Sequence, residues 1–266
     1  MLESYNDVAV AVAEGVAGSV ESFAKLMNQK AKKIGAVHTN FVTPNGLDAE
    51  NHYSTAYDMA LIGAYAIQNN QFLEITNTKS YDLTDVENKR NIHVINRDAF
   101  LTMDQSAVGI KTGFTGEAGY CFVGAVKNQG RIFVSCVLAC GWPPNKSYKW
   151  KDTLCLMNYG KENYHYKNLL EKNKTIRIKT EGGTKKSIQA SVVGNSKYLM
   201  NKNDNSDFKT NLHYEYPIKK NQKIGTVDVY INHQKVQTRN IVAKESVEEF
   251  NFQYCLNKVF NWFILQ

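Results

Sequence analysis

The sequence predicts an α+β fold: helices around a buried β-hairpin, then a small all-β domain, then an amphipathic terminal helix. Three observations predict it. In the first 165 residues helical patterns alternate with two strongly apolar runs rich in aromatic and β-branched residues. From Thr175 short alternating runs are separated by Gly, Asn and Lys turns. The charge changes with the texture: Lys and Arg number 15 against 16 Asp and Glu up to His165, and 17 against 9 from Tyr166 onward.

The elements follow in order. Asp7 to Val16 is apolar and Ala-rich, which favours helix. Ser19 is placed to cap a second helix, Val20 to Ile34, with Glu21 in its first turn, three lysines in its last and Gly35 as the stop. Thr43-Pro-Asn-Gly46 is a turn sequence. Thr55-Ala-Tyr-Asp58 is a capping pattern that opens an apolar helix through Ile67. Ile92 to Ile95 and Ala107 to Thr112 read as strands, the second leading into a Gly-rich turn. Tyr120 to Val126 and Arg131 to Leu138, joined by Lys127-Asn-Gln-Gly130, form a hairpin buried on at least one face. Lys149 to Tyr164 reads as helix.

Thr175 to Thr180 and Thr226 to Ile231 typify the β-rich part that follows. The domains are therefore expected at 1–165, 166–246 and 247–266, with the first boundary in the polar stretch 166–174. In the last segment Phe252, Leu256, Val259, Phe260 and Phe263 fall on one helical stripe, a pattern that suits a membrane interface or packing on the chain's own β domain.

Composition narrows the function classes. Of the 266 residues 43% are hydrophobic and 21% charged, which excludes wholesale disorder. No apolar run approaches the ~18 residues needed to span a bilayer. Five cysteines are too few for a disulfide-dense scaffold. Met1 to Asp7 has neither a basic nor an apolar leader region, so the chain as written is read as carrying no secretory signal. The basic second half points to an anionic partner, whether a membrane surface, a cell-wall polymer or nucleic acid, or to a solvated basic surface.

The chemistry-bearing residues are few. The six histidines form no ligand pair, and Cys136 and Cys140, four apart in an apolar strand run, read as buried thiols rather than metal ligands. No phosphate-binding loop or dinucleotide fingerprint is present. Lys111-Thr112-Gly113 ends a predicted strand and is followed by Thr115. It would offer a fixed positive charge, a hydroxyl donor and a residue without Cβ that lets a substrate backbone approach the strand edge. Taken alone, a lysine at a strand end is usually only solvated. Ser4-Tyr5-Asn6 precedes the first helix; by itself Ser4 is a plausible N-cap. Ser-x-Asn followed by Lys-Thr-Gly is the order found in active-site serine penicillin-recognising enzymes, whose remaining element is Ser-x-x-Lys.

The stretch Ser4 to Ser19 resembles the low-molecular-mass penicillin-binding proteins, the serine-type D-alanyl-D-alanine carboxypeptidases. So do Phe23-Ala-Lys-Leu-Met-Asn28, His38-Thr-Asn-Phe41, Asn45-Gly-Leu-Asp48, His52 to Ala60, Val108 to Thr115 and Met157-Asn-Tyr-Gly160. The likeness is dense over residues 2–165 and looser beyond. It implies a partial β-lactamase/DD-peptidase-like domain, an antiparallel sheet flanked by helices, then a β-rich domain and an amphipathic anchor. The finer likeness is to sporulation-associated members of Gram-positive bacteria.

What the resemblance implies is a peptidoglycan hydrolase. A lysine-activated serine attacks the carbonyl between the two terminal D-alanines of a stem peptide, D-alanine leaves, and water hydrolyses the acyl-enzyme. Ser4 would relay a proton to the leaving group and Asn6 would hold the substrate amide. Lys111 would support that relay and the substrate carboxylate. Thr112 and Thr115 would bind that carboxylate and Gly113 would let the strand pair with the peptide. Metal and organic cofactors are not expected. The implied partners are D-Ala-D-Ala stem peptides, β-lactams and, through the terminal helix, a membrane surface, with no nucleic acid. The implied location is the outer face of the bacterial cytoplasmic membrane. Ser22-Phe-Ala-Lys25 and Ser206-Asp-Phe-Lys209 match Ser-x-x-Lys by letters, but neither precedes Ser4. The chain is therefore expected to be an N-terminally truncated member without its nucleophile, inactive as it stands and with an exposed hairpin edge. The alternatives are a non-catalytic peptidoglycan- or membrane-binding pseudoenzyme and a class A β-lactamase relative.

Overall fold

The computed structural model describes residues 1–171 and 174–264. It divides into two compact units, Met1–Glu162 and Asn163–Gln266.

The first unit opens with α1 (Asn6–Ala17) and α2 (Val20–Lys33). Ser19 caps α2 by accepting the Ser22 N–H at 3.1 Å, and the chain leaves the helix through Gly35 at φ 90°, with Ala36 N–H donating back to Ala31 O at 2.9 Å. Ser22 thus lies in the first turn of a helix, its hydroxyl accepting from Ser19. The loop after α2 is held by side chains. Asn28 pairs with the Phe41 backbone in both directions, at 2.7 and 2.8 Å. His52 Nδ1 accepts the N–H groups of Val42 and Thr43, so this ring is the neutral tautomer with its proton on Nε2, and burial holds its pKa below the usual histidine value. Thr55 caps α3 (Ala56–Ala66), and the fully buried Asp58 in its first turn accepts the His38 N–H and the Thr39 hydroxyl, both at 2.7 Å.

Helix α4 (Asn70–Asn77) follows at once, capped by Asn69, and β1 (Ser80–Thr84) pairs with β2 (Asn91–Ile95) as a separate hairpin. The sequence reading contains neither α4 nor β1. The Asn-Asn-Gln start of α4 has loop composition, and every residue of β1 is exposed, so no burial pattern marks it. A single turn, α5 (Phe100–Met103), leads to the central sheet, β3 (Ala107–Thr115), β4 (Gly119–Asn128) and β5 (Arg131–Val137), antiparallel in that order. Phe100, Phe122, Val126 and Met157 of α6 (Tyr148–Asn163) form the core on one face. Ile67, Ile110, Val123 and Ala125, with α3 and α4, form it on the other. Within the expected hairpin β4 is therefore buried on both faces, while β5 is mostly half-buried. Beside it an apolar groove of about 480 Å³, lined by Tyr57, Leu61, Ala64, Ile132 and Val134, lies open along β5, an edge strand among the described residues.

The second unit corrects two expectations. Much of the polar stretch expected to hold the first domain boundary is strand β6 (Tyr164–Leu170), paired with β9 (Ser196–Asn201); residues 172–173 of that stretch lie outside the described residues. A five-stranded sheet joins β7 (Thr175–Lys179), β8 (Ser187–Val192), β10 (Ser206–Leu212), β11 (Lys223–Ile231) and β12 (Gln234–Ala243) in the order β10-β11-β12-β8-β7. Ser206, the other letter match to Ser-x-x-Lys, opens β10. The terminal helix α7 spans Phe252–Ile264 rather than starting at 247, because Val247 is buried in the β core and exchanges backbone hydrogen bonds with Ile218. Residues 265–266 lie outside the described residues. No residue of α7 is buried, and Phe252, Phe260, Trp262 and Phe263 are all exposed.

Gly63 is where helix and sheet meet most tightly. A Cβ there would lie 2.8 Å from Val123 Cγ1 and 3.1 Å from Val134 Cγ1. Alanine gains about 1 kcal/mol of helix propensity over glycine, but overpacking a core costs about 1–3 kcal/mol. Gly63→Ala is therefore expected to destabilise the first unit by ~1 kcal/mol, against the propensity trend. Urea denaturation checks this, and a midpoint that rises contradicts the packing.

Candidate functional site

Strand β3 enters the site through a bulge. Its pairing with β4 slips between Ala107 and Ile110. Gly109 has φ 98°, and a Cβ on it would press to 2.8 Å from the buried Thr76 at the end of α4. Thr76 in turn donates its hydroxyl to Val108 O at 3.3 Å. Only glycine accommodates that backbone and that contact, and the bulge sets the facing of the residues after it. Beyond it Lys111 to Thr115 pair regularly with Val123 to Gly119. Among the described residues β3 pairs only with β4, so its other edge carries no strand partner there.

Lys111 and Thr112 are half-buried, and Gly113 is exposed. The Lys111 ammonium donates to Thr112 O at 2.7 Å. Burial, then the nearby charges of Lys149 and Arg97, push its pKa down, while Asp98 pulls it up. With Asp98 and Ile110, Lys111 and Thr112 line a polar recess of about 10 Å³ that Met1 and Leu2 also line. The N-terminal segment is fixed there: Arg97 N–H donates to Leu2 O at 3.3 Å, and the Glu3 carboxylate accepts Ile95 N–H at 3.1 Å and Arg97 Nε–H at 2.8 Å. These two hydrogen bonds, the backbone one foremost, hold the Glu3 carboxyl below its usual pKa.

The two triplets therefore lie on segments that meet, although the recess itself is walled by residues 1–2 rather than by Ser4 or Asn6. Ser4 is exposed at φ 60°, an uncommon conformation for serine. It does not cap α1, whose N-cap is Tyr5 with no side-chain bond. Asn6 is the first residue of that helix and is exposed. Thr115 makes local contacts at the end of β3. Its hydroxyl donates to Asp48 Oδ1 at 2.7 Å and accepts Ala118 N–H at 3.0 Å, which clasps the 43–48 loop to the end of β3.

Three charged residues around Lys111 escape sequence reasoning. Asp98 is 4% exposed; its Oδ1 accepts Phe100 N–H at 3.0 Å, and desolvation raises its pKa to about 6. Lys149, 7% exposed, holds its ammonium 4.6 Å from the Trp150 ring centre and 5.1 Å from that of Tyr120. Arg97 is the third. Nothing in the local sequence marks Asp98 or Lys149, because burial of a charge is a tertiary property, and Arg97 is exposed and acts on Lys111 only through the fold. Cys136 and Cys140 are free thiols, pushed up to about 12 and about 11, both mainly by burial; Cys140 also lies 2.9 Å from Asp152 Oδ2. Among the described residues no group of His, Cys, Asp and Glu has the makings of a metal site.

Comparison with known proteins gives consistent matches. A family model described as D-alanyl-D-alanine carboxypeptidase matches residues 1–140, and one described as the C-terminal domain of penicillin-binding protein 5 matches residues 164–249. The chain is 28% identical over 257 residues to the D-alanyl-D-alanine carboxypeptidase DacF of Bacillus subtilis, covering 94% of this chain and 65% of that protein. It is 28% identical over 269 residues to DacA of Haemophilus influenzae, covering 98% and 66%. It thus spans just under two thirds of the length of these curated relatives. Among solved structures, penicillin binding protein 5 of Haemophilus influenzae matches with TM-score 0.64 at 29% identity, over 92% of this chain and 72% of that one. The carboxypeptidase DacD of Francisella tularensis matches in fold with TM-score 0.68 at 23% identity, over 93% and 73%.

Proposed function

The chain belongs to the D-alanyl-D-alanine carboxypeptidase family, and from that premise we propose that its site receives the D-Ala-D-Ala end of a peptidoglycan stem peptide. One observation carries this reading: the walls of the recess bring residues 1–2, next to Ser4-Tyr-Asn6, against Lys111 and Thr112, across more than a hundred residues of sequence.

In this reading the peptide lies along the open edge of β3 at Gly113. Its terminal carboxylate meets the Lys111 ammonium and the Thr112 hydroxyl, a charge-assisted pairing. Asn6 holds the substrate amide. In the complete reaction an acyl-enzyme forms on a serine, the C–N bond breaks, and Ser4 passes a proton to the departing amine of D-alanine. Water then releases the shortened peptide. The match over 164–249 favours the carboxypeptidase over a class A β-lactamase relative. The location proposed is extracytoplasmic and peripheral to the membrane. No helix among the described residues is long and apolar enough to cross a membrane. The exposed aromatic face of α7, beside a basic β unit, supports binding to an anionic bilayer surface.

Calorimetry with an N-acylated peptide ending in D-Ala-D-Ala tests the site. Losing hydrogen bonds to a charged group costs about 1.5–3 kcal/mol, so Lys111→Ala and Thr112→Val are each expected to weaken binding roughly tenfold or more. The L-Ala-L-Ala isomer is expected to bind more weakly. Equal affinity for both isomers contradicts the reading. For the helix, the full chain is expected to sediment with anionic liposomes and a chain ending at residue 251, just before α7, to remain in solution; identical behaviour removes the anchor.

A further inference from the structure

We propose that Asp98 is a positioning residue for this site: its buried carboxylate is the counter-charge that keeps Lys111 an ammonium beside Lys149 and Arg97. The proposal rests on the reading of Lys111 as the group that meets the substrate carboxylate.

The geometry singles out Asp98. It shares the walls of the recess with Lys111 and Thr112, and its Oδ2 is buried without a hydrogen-bond partner among the described residues. The carboxylate cannot swing away. Asp98 N–H donates to Asn96 Oδ1 at 3.0 Å, and Asn96 Nδ2 donates to Thr76 O at 3.0 Å and Thr78 O at 2.9 Å. Oδ1 is taken by Phe100 N–H. The 96–98 loop is thereby tied to the end of α4, whose Thr76 also bonds Val108 at the bulge of β3. One frame fixes both carboxylate and ammonium.

The charges then balance in a telling way. Those acting on Lys111 are Lys149 from α6, Arg97 from the loop, and Asp98. Those acting on Lys149 are Asp98, Lys146 and the thiols Cys121 and Cys140. Asp98 is thus the carboxylate common to both lysines. Arg97 already has its own partner in Glu3. The inner set of Lys111, Lys149 and Asp98 carries one net positive charge, which one incoming carboxylate completes. A half-buried ammonium next to another cation drifts toward its neutral form unless an anion opposes it, and neutral Lys111 offers a carboxylate no charge.

The test reads Lys111 directly, by carbon-13 NMR titration of lysine ε-carbons in the full chain, assigned with Lys111→Arg. Removing an adjacent opposite charge moves a pKa by about 1–3 units. Asp98→Asn is therefore expected to lower the Lys111 pKa by about one unit or more, and Lys149→Met to raise it. The alkaline limb of peptide affinity is expected to move down with it in Asp98→Asn, a shift that a purely structural role would not give. If Asp98→Asn does not fold, the unmodified chain supplies the reading: the Lys111 resonance is expected to inflect a second time near pH 6, where Asp98 takes up its proton. An unchanged Lys111 titration in Asp98→Asn, or no inflection near that pH, overturns the proposal. A shifted titration in a chain that binds no D-Ala-D-Ala peptide upholds the counter-charge and overturns the functional reading instead.

Discussion

Half-buried Lys111, just past the bulge of β3, and the buried Asp98 of the 96–98 loop line one recess, and holding these two opposite charges there is the constraint on which the site depends. Taking either charge out of water alone is costly, and a buried pair repays that cost only when its geometry is held. The holding comes from outside the pair. Thr76 presses on Gly109, Asn96 fixes the 96–98 loop, and apolar cores on both faces keep the β3–β4 pairing in register. The result is a fixed positive charge at an open strand edge, an arrangement that suits an extended peptide ending in a carboxylate.

The same sheet shows two kinds of exposed edge with opposite meanings. Along β3 the exposed residues are Gly113 and Phe114, headed by the half-buried Lys111 and Thr112. Along β5 it is apolar and runs into a groove against α3. The first has the character of a ligand edge. The second is the kind of surface that associates without selectivity. The β unit differs again: its core is a compact set of aliphatic residues including Ile188, Ile218, Ile224 and Ile241, all buried, and its sequence excess of basic residues lies outside that core.

Much of this was legible from residues alone, for local reasons. Ser19 and Thr55 cap helices because their hydroxyls reach the N–H three residues on, a relation that spacing encodes. The apolar hairpin is legible because its residues are β-branched and aromatic in a row. Lys111-Thr-Gly113 stands out as a motif, and the structure sets it beside the N-terminal segment. What stayed hidden depends on tertiary context. Asp98 and Lys149 look like ordinary polar residues until packing removes their water. Thr115 reads as part of a motif, yet its hydroxyl closes on Asp48, 67 residues away. Strand β1 has no buried face to betray it, and Val247 leaves the expected terminal helix because the β core claims it.

The central claim is that the edge of β3 at Gly113, headed by Lys111 and Thr112, seats a peptide whose terminal carboxylate faces both side chains. A crystal structure of the chain with an N-acylated D-Ala-D-Ala peptide tests it most directly. The account expects the carboxylate within hydrogen-bond distance of Lys111 Nζ and Thr112 Oγ1, with the peptide backbone antiparallel or parallel to β3. A peptide bound elsewhere, or one whose carboxylate points to solvent while Lys111 still bonds only Thr112 O, would contradict it.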